Sequence, residues 1–272
     1  MKDIKEITEQ LEQGVKQVYE SERYKAYLDF MSKFYDYSVN NIILIMMQNP
    51  NASLVAGYQS WKTKFNRQVK KGEKGITILA PCPKKFTKII ENEDGTKEEK
   101  EVKYMTFRAC TVFDISQTEG EEVPSFVDSL TGNVENFEEL LQKLTKISPV
   151  PVDFEYIKGS ANGYFHPVEK RIAIKNDMSE QQIIKTLIHE ISHAKLHDHE
   201  DGVEKDADRR TKEVQAESIA YTVCKMIGLE TSDYSFGYVA GWSKDKEAKE
   251  LTASMEIIRN TAKEIYEELR AA

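Results

Sequence analysis

Ser179-Glu-Gln-Gln-Ile-Ile-Lys-Thr-Leu-Ile-His-Glu-Ile-Ser-His193 is the stretch on which the reading of this chain turns. Ser179 followed by Gln182 has the form of a capping box at a helix start. Ile184, Leu187, Ile188 and Ile191 then recur at helical spacing and give that helix one apolar stripe. On such a helix His189 and His193 stand one turn apart on the same face, where both imidazoles reach a single Zn²⁺. Glu190 lies beside them, placed to take a proton from metal-bound water without itself being a ligand. The five-residue pattern occurs often by chance; on a capped amphipathic helix it carries much more weight.

A catalytic zinc needs a third protein ligand and one open position. The next helix supplies it, running from Glu213 through Ala216, Ile219, Ala220, Val223, Cys224 and Ile227 to a C-terminal Gly228. At about 100° per residue, Ala220 and Cys224 fall within about 20° of Glu213 on the wheel. A carboxylate in that apolar stripe is costly unless paired or metal-bound. Glu213 also lies 20 residues beyond His193, room for an antiparallel helix to return. Glu213 is therefore expected as the ligand, and Glu217 as the acceptor that orients a ligating histidine, with the reverse assignment open. His197 and His199 run into an acidic stretch and read as loop residues, and His166 reads as a turn residue before a strand. Cys82, Cys110 and Cys224 read as core.

The chain around this pair of helices has 272 residues, 40% hydrophobic and 31% charged, enough for one large domain or two smaller ones. Its longest apolar run, 42–47, is far too short to span a bilayer, and residues 1–7 lack the apolar core of a secretory signal. Three cysteines without a C-x-x-C pair argue against a disulfide framework and for a reducing cytoplasm. The net charge of -8 lies entirely in the second half: residues 1–125 hold 19 basic and 19 acidic residues, residues 126–272 hold 19 and 27. Within 61–90 nine bases face one acid, Glu73. Trp61, Phe65 and Phe86 are interleaved with these bases, the composition of a single-strand binder that neutralises phosphates and stacks bases. The candidate contacts are Trp61, Lys62, Lys64, Arg67, Lys70, Lys71 and Lys74.

Texture changes along the chain suggest an α+β protein of two domains, 1–125 and 126–272. Helical periodicity holds to about residue 47, weakened at Gly14 and broken at Asn49-Pro-Asn51. Short strands are expected at 75–81 and 105–113, a hairpin tip or loop at 91–101 around Asp94-Gly95, and a linker at 118–125. The second half reads as a helix at 134–147, strands at 152–157 and 171–175, the two chemistry-bearing helices, and a terminal amphipathic helix over 245–269.

Asn49-Pro-Asn-Ala-Ser-Leu-Val-Ala-Gly-Tyr-Gln-Ser-Trp61 and Val69-Lys-Lys-Gly-Glu-Lys-Gly-Ile76 resemble the N-terminal domain of ArdC-type antirestriction proteins. His189-Glu-Ile-Ser-His-Ala-Lys-Leu-His197 with Glu213-Val-Gln-Ala-Glu217 resembles the zincin metallopeptidase domain that completes that family. The resemblance covers nearly the whole chain. It implies a protein of conjugative elements whose N-terminal domain binds single-stranded DNA and whose C-terminal domain is a gluzincin-like zinc peptidase acting on an unidentified protein. Where gluzincins such as thermolysin carry E-x-x-x-D, this chain reads Glu213 to Glu217. Tyr221, Tyr234 and Tyr238 are candidates for the residue that stabilises the oxyanion. Two alternatives stand beside this reading: a DNA-binding protective protein with a structural or vestigial metal site, and a metallopeptidase that cleaves a repressor.

Overall fold

The computed structural model describes residues 4–19, 22–91, 97–123, 137–197, 208–229, 231, 234 and 236–272. It is a mixed helix-and-sheet protein in two compact units, one formed by Met1–Leu11 with Leu44–Glu121, the other by Glu12–Ile43 with Glu122–Ala272. Residues 12–43 thus belong with the C-terminal half of the chain. The helical opening resolves into α1 (Ile4–Val18), α2 (Glu22–Lys33) and α3 (Val39–Gln48).

The first unit is built on β1 (Val55–Gly57), α4 (Tyr58–Lys64), β2 (Arg67–Val69), β3 (Ile76–Glu91), β4 (Lys97–Asp114) and β5 (Thr118–Gly120). Its main sheet is antiparallel in the order β1-β4-β3. β3 and β4 are 16 and 18 residues long, well beyond the short strands read from sequence. Strand pairing runs straight through Pro81 and Pro83 because β3 is a sheet edge, where a missing N–H can face away from the ladder. The expected hairpin tip at Asp94-Gly95 lies outside the described residues. The expected linker begins instead as a strand: Thr118–Gly120 pairs with Arg67–Val69.

Asp114 fixes where β4 ends. Its buried carboxylate accepts N–H bonds from Ser53 (2.8 Å), Leu54 (3.2 Å) and Ser116 (3.0 Å), capping a single 3₁₀ turn at Ile115–Gln117. Burial alone raises the carboxyl's pKa, but these donors outweigh it and hold the group below its usual value.

The second unit joins a three-stranded sheet to a helical layer. β6 (Val152–Glu155) runs parallel to β8 (Arg171–Lys175), and β7 (Gly163–His166) pairs antiparallel on β8's other side, in the order β6-β8-β7. The helices are α5 (Phe137–Ile147), α6 (Glu180–Leu196), α7 (Arg209–Met226), α8 (Val239–Ser243) and α9 (Ala248–Ala271). α7 packs against α6, α9 and α2 and is buried along most of its length. Two of its buried hydroxyls are satisfied locally: Ser218 Oγ donates to the Val214 carbonyl at 2.6 Å, and Thr222 Oγ1 to the Ser218 carbonyl at 2.7 Å. From α2, the Tyr24 hydroxyl lies 2.7 Å from Ser218 Oγ, and the Asp29 carboxylate accepts from the Tyr221 hydroxyl at 2.7 Å. No helix among the described residues is long and apolar enough to cross a membrane.

Candidate functional site

Side-chain caps set the register of the two helices that carry the chemistry. Ser179 Oγ accepts the Gln182 N–H at 3.3 Å to open α6, and Asp208 Oδ1 accepts the Thr211 N–H at 2.8 Å to open α7. Gly163 lets strand β7 lie close to α6. A Cβ there would stand 2.7 Å from Thr186 Cγ2 and 2.9 Å from the Ala173 carbonyl oxygen, so only glycine fits.

With the helices so placed, His189 Nε2 and His193 Nε2 face each other at 3.1 Å, and Glu213 Oε2 lies 3.7 and 3.8 Å from them. Among the described residues these three form the group whose donor atoms lie within 4.8 Å of one another. The outer nitrogens are spoken for. His189 Nδ1 lies 3.1 Å from Glu217 Oε2, a contact in which the ring donates. His193 Nδ1 lies 2.9 Å from His197 Nδ1, and His197 Nε2 lies 3.1 Å from Gln215 Oε1. Gln215 Nε2 donates in turn to Ser254 Oγ at 3.4 Å. The amide oxygen of Gln215 only accepts, so His197 Nε2 bears the hydrogen and its Nδ1 accepts from His193.

This pattern tests the site for a cation. With both Nδ1 atoms donating, both Nε2 atoms present lone pairs toward each other, an arrangement that needs a positive charge between them. Tetrahedral zinc at about 2.0–2.1 Å from each nitrogen separates two such atoms by roughly 3.3 Å. The donor set and its spacing fit a divalent metal. Without one, the neighbouring carboxylates favour the protonated form of His189. Burial pulls His189 down, but the Glu213 and Glu217 carboxylates outweigh it and push the ring up to about 10. The two imidazoles hold Glu213 well below the usual carboxylate range.

Glu190 is buried and points to the same place. Burial raises its pKa against the pull of His189 and His193, and its carboxylate accepts the backbone N–H of Phe165 on β7. A cleft of about 760 Å³ opens here, lined by Gly163 to Phe165 of β7 with His189, His193 and Glu213. A second of about 300 Å³ lies along Gln182, Lys185, Thr186, Glu217 and Tyr234.

Two residues of this site escaped the sequence reading. His197, expected in a loop, is buried at the C-terminal end of α6, where burial pulls its ring down to about 4. Lys185 is buried on the wall of the smaller cleft, its ammonium 5.2 Å from the centroid of the Tyr234 ring. One signal for His197 was present in the i+4 series His189, His193, His197; none existed for Lys185. Among the tyrosine candidates, Tyr221 is fully buried and bonded to Asp29, which removes it from the cleft. Tyr234 lines the smaller cleft, and burial together with nearby Glu217 raises the Tyr238 phenol. His166, expected in a turn, is the last residue of β7, its Nδ1 accepting the Glu169 N–H at 3.1 Å, and His199 lies outside the described residues.

Residues 3–113 match the N-terminal domain of anti-restriction factor ArdC, and residues 149–225 match the IrrE N-terminal-like domain of the M78 peptidases. The chain is of the ArdC type. Crystal structures of the antirestriction protein ArdC from plasmid R388 share its fold. The metal-free form superposes with a TM-score of 0.54 at 21% identity, covering 86% of each chain. The Mn(II)-bound form does so with 0.53 at 20% identity, covering 86% of this chain and 85% of that one. An uncharacterized Bacillus anthracis protein is 28% identical over 299 residues; the match takes in 96% of this chain, which spans about half (50%) of that relative's length.

In the N-terminal unit of this ArdC-type chain the basic residues separate into two groups. Lys62, Lys64, Lys70, Lys71 and Lys74 are exposed. Trp61 and Arg67 are not available to a strand of DNA, contrary to the expectation. Trp61 is fully buried, with its indole N–H donating to the Phe113 carbonyl at 2.8 Å and its ring against Phe65. An aromatic among lysines suggests a stacking surface, but here it is core of the unit. Arg67 spends its guanidinium inside the unit, on Thr118 Oγ1 at 2.7 Å, the Thr118 carbonyl at 3.1 Å and the carbonyls of Gly120 and Glu121. The exposed aromatics lie elsewhere, at Tyr58, Phe86, Tyr104 and Phe107.

Proposed function

We propose that this chain is an antirestriction-type protein of a mobile element, binding single-stranded DNA with its N-terminal unit and carrying a zinc-dependent peptidase site in its C-terminal unit. The observation that carries the second part is Glu190: a buried carboxylate beside two paired imidazoles, at the floor of an open cleft. A structural metal site has no use for such a base or for an open approach.

His189, His193 and Glu213 would hold the cation, with Glu217 and His197 fixing the two rings from behind. The Mn(II)-bound form of R388 ArdC supports a divalent ion, and the two-imidazole, one-carboxylate set suits zinc. Bound there, such an ion supplies an acidified water and a polarised carbonyl. The chain's own residues do the rest. Glu190, whose pKa burial raises, would take a proton from water and return it to the leaving amine. The Phe165 N–H keeps that carboxylate aimed. β7 is a sheet edge lining the same cleft, so its backbone can accept an extended peptide as an added strand. Tyr234 and Tyr238 remain the candidates to face the developing oxyanion. The three cysteines form no disulfide, in keeping with action in the cytoplasm.

The test pairs Glu190→Gln with wild type in a zinc titration and a restriction-protection assay. We expect stoichiometric zinc in both proteins and loss of protection in the variant. Full protection by a zinc-loaded Glu190→Gln protein would reject peptidase chemistry and leave the alternative, protection by DNA binding around a vestigial metal site.

A further inference from the structure

The β3–β4 hairpin is long, and its two faces differ. In an antiparallel pair, residues in register share a face and alternate positions change face. Lys84 pairs with Tyr104, Ala80 with Arg108 and Phe86 with Val102, so Lys84, Phe86, Tyr104 and Arg108 stand on one face. Lys100 follows on that face, two positions beyond Val102. Phe86 and Tyr104 are 46% and 44% exposed, with ring centroids 5.5 Å apart at 73°. Lys84, Lys100 and Arg108 are exposed around them, and no acid with a described side chain shares their face. The opposite face carries Lys85, Lys103, Met105 and Phe107, but there Lys85 is paired with Glu101 at 3.0 Å.

We propose that the Lys84, Phe86, Lys100, Tyr104 and Arg108 face of this hairpin is the surface on which single-stranded nucleic acid stacks. The proposal rests on the reading of the N-terminal unit as a single-strand binder and gives that reading a location. Two half-exposed rings held in contact keep π-faces in water at a cost in free energy, which stacked bases would relieve. Lys84 stands two positions before Phe86, and Lys100 and Arg108 stand four positions to either side of Tyr104, about 13–14 Å at 3.3–3.4 Å per residue, so a backbone tracking the strand direction meets a cation on either side of the rings. The face complements a polyanion with unpaired bases. A duplex, whose bases are already stacked, would find only its cations. Trp61 does not enter this surface, and Lys70 and Lys71 lie on the segment before β3, outside the hairpin.

The experiment measures binding of the full-length protein to a fluorescein-labelled 20-mer of thymidine by anisotropy, over a salt series, with a duplex 20-mer in parallel. For Phe86→Ala with Tyr104→Ala we expect at least roughly tenfold weaker binding and an unchanged salt slope. Phe86→Trp should bind at least as well as wild type. Lys84→Gln with Arg108→Gln should make the slope of log K against log salt shallower by about 1.4, the value for two lost phosphate contacts. Phe107→Ala, on the opposite face, should bind as wild type does. Melting curves of each variant confirm that these exposed substitutions leave the fold intact. Wild-type binding by the Phe86/Tyr104 double variant, with loss on replacing Lys70 and Lys71, would overturn the location and leave the single-strand reading standing. No binding by wild type would remove the reading itself. A change in native mass on replacing Phe86 and Tyr104 would assign the face to a second copy of the chain and overturn the proposal.

Discussion

Replacing His197 by alanine removes a residue of the larger cleft's wall that reaches the candidate metal ligands through His193, and its effect can be worked from the hydrogen-bond chain. His193 can give Nε2 to a cation only if its Nδ1 keeps the proton, and that proton is received by His197 Nδ1 at 2.9 Å. Without the acceptor, the imidazole loses both its fixed orientation and part of its basicity. Partners of this kind are worth roughly 10–100-fold in metal affinity, about 1.4–2.7 kcal/mol. A second cost falls on the fold, because Gln215 is wholly buried and its amide oxygen would lose the His197 N–H at 3.1 Å, a loss of about 1–3 kcal/mol. The two effects separate by design. Zinc affinity is read by competition with a chromogenic chelator at fixed pH, and stability by thermal unfolding of the metal-free protein. His197→Gln should rescue both, since its amide oxygen can accept from His193 while its amide nitrogen donates to Gln215. A folded His197→Ala protein with wild-type zinc affinity would refute the reasoning. Equal losses in His197→Gln and His197→Ala would show that the ring is needed for its shape and not for its hydrogen bonds.

Two further outcomes follow from the same geometry. Glu213→Ala should lose stoichiometric zinc binding, while Glu217→Ala should bind it roughly 10–100-fold more weakly; a reversal of that order would exchange their roles. In the N-terminal unit, hydrogen bonds hold the Asp114 carboxyl below its ordinary value of 3.8, so its stabilising contribution is present above that pH and is lost as pH falls through the folded-state value. Asp114→Asn should therefore unfold at lower temperature than wild type near neutrality, by about 1–3 kcal/mol of stability, with the gap narrowing below pH ~4; a gap that persists in acid would refute the charge argument.

What the sequence disclosed follows the range of the interactions concerned. α6 and α7 were legible because a cap and a 3.6-residue stripe are local; Glu213 and Glu217 fell where a return helix brings them, but Glu213 stands exposed at the edge of the stripe and not buried within it. His197 was not, because its meaning depends on Gln215 from another helix, 18 positions on. The lysines around Trp61 make it a candidate DNA contact, yet burial is decided by what packs from elsewhere in the chain, here the end of β4. The hairpin was cut short at Pro81 because a proline stops an interior strand; nothing local announces an edge. The attachment of residues 12–43 to the C-terminal half rests on bonds such as Tyr24 to Ser218, separated by 194 positions, which no periodicity encodes.

That last attachment bears on inheritance. The chain passes between its two units after residues 11, 43 and 121, so each unit is written in two separate blocks of codons. A single recombination breakpoint near codon 125 would deliver α6 and α7 without α2, leaving the Ser218 and Tyr221 hydroxyls of α7 stripped of Tyr24 and Asp29. Shuffling by simple end-joining at that point would therefore break the packing of the second unit. The two units thus travel as one interleaved stretch of gene.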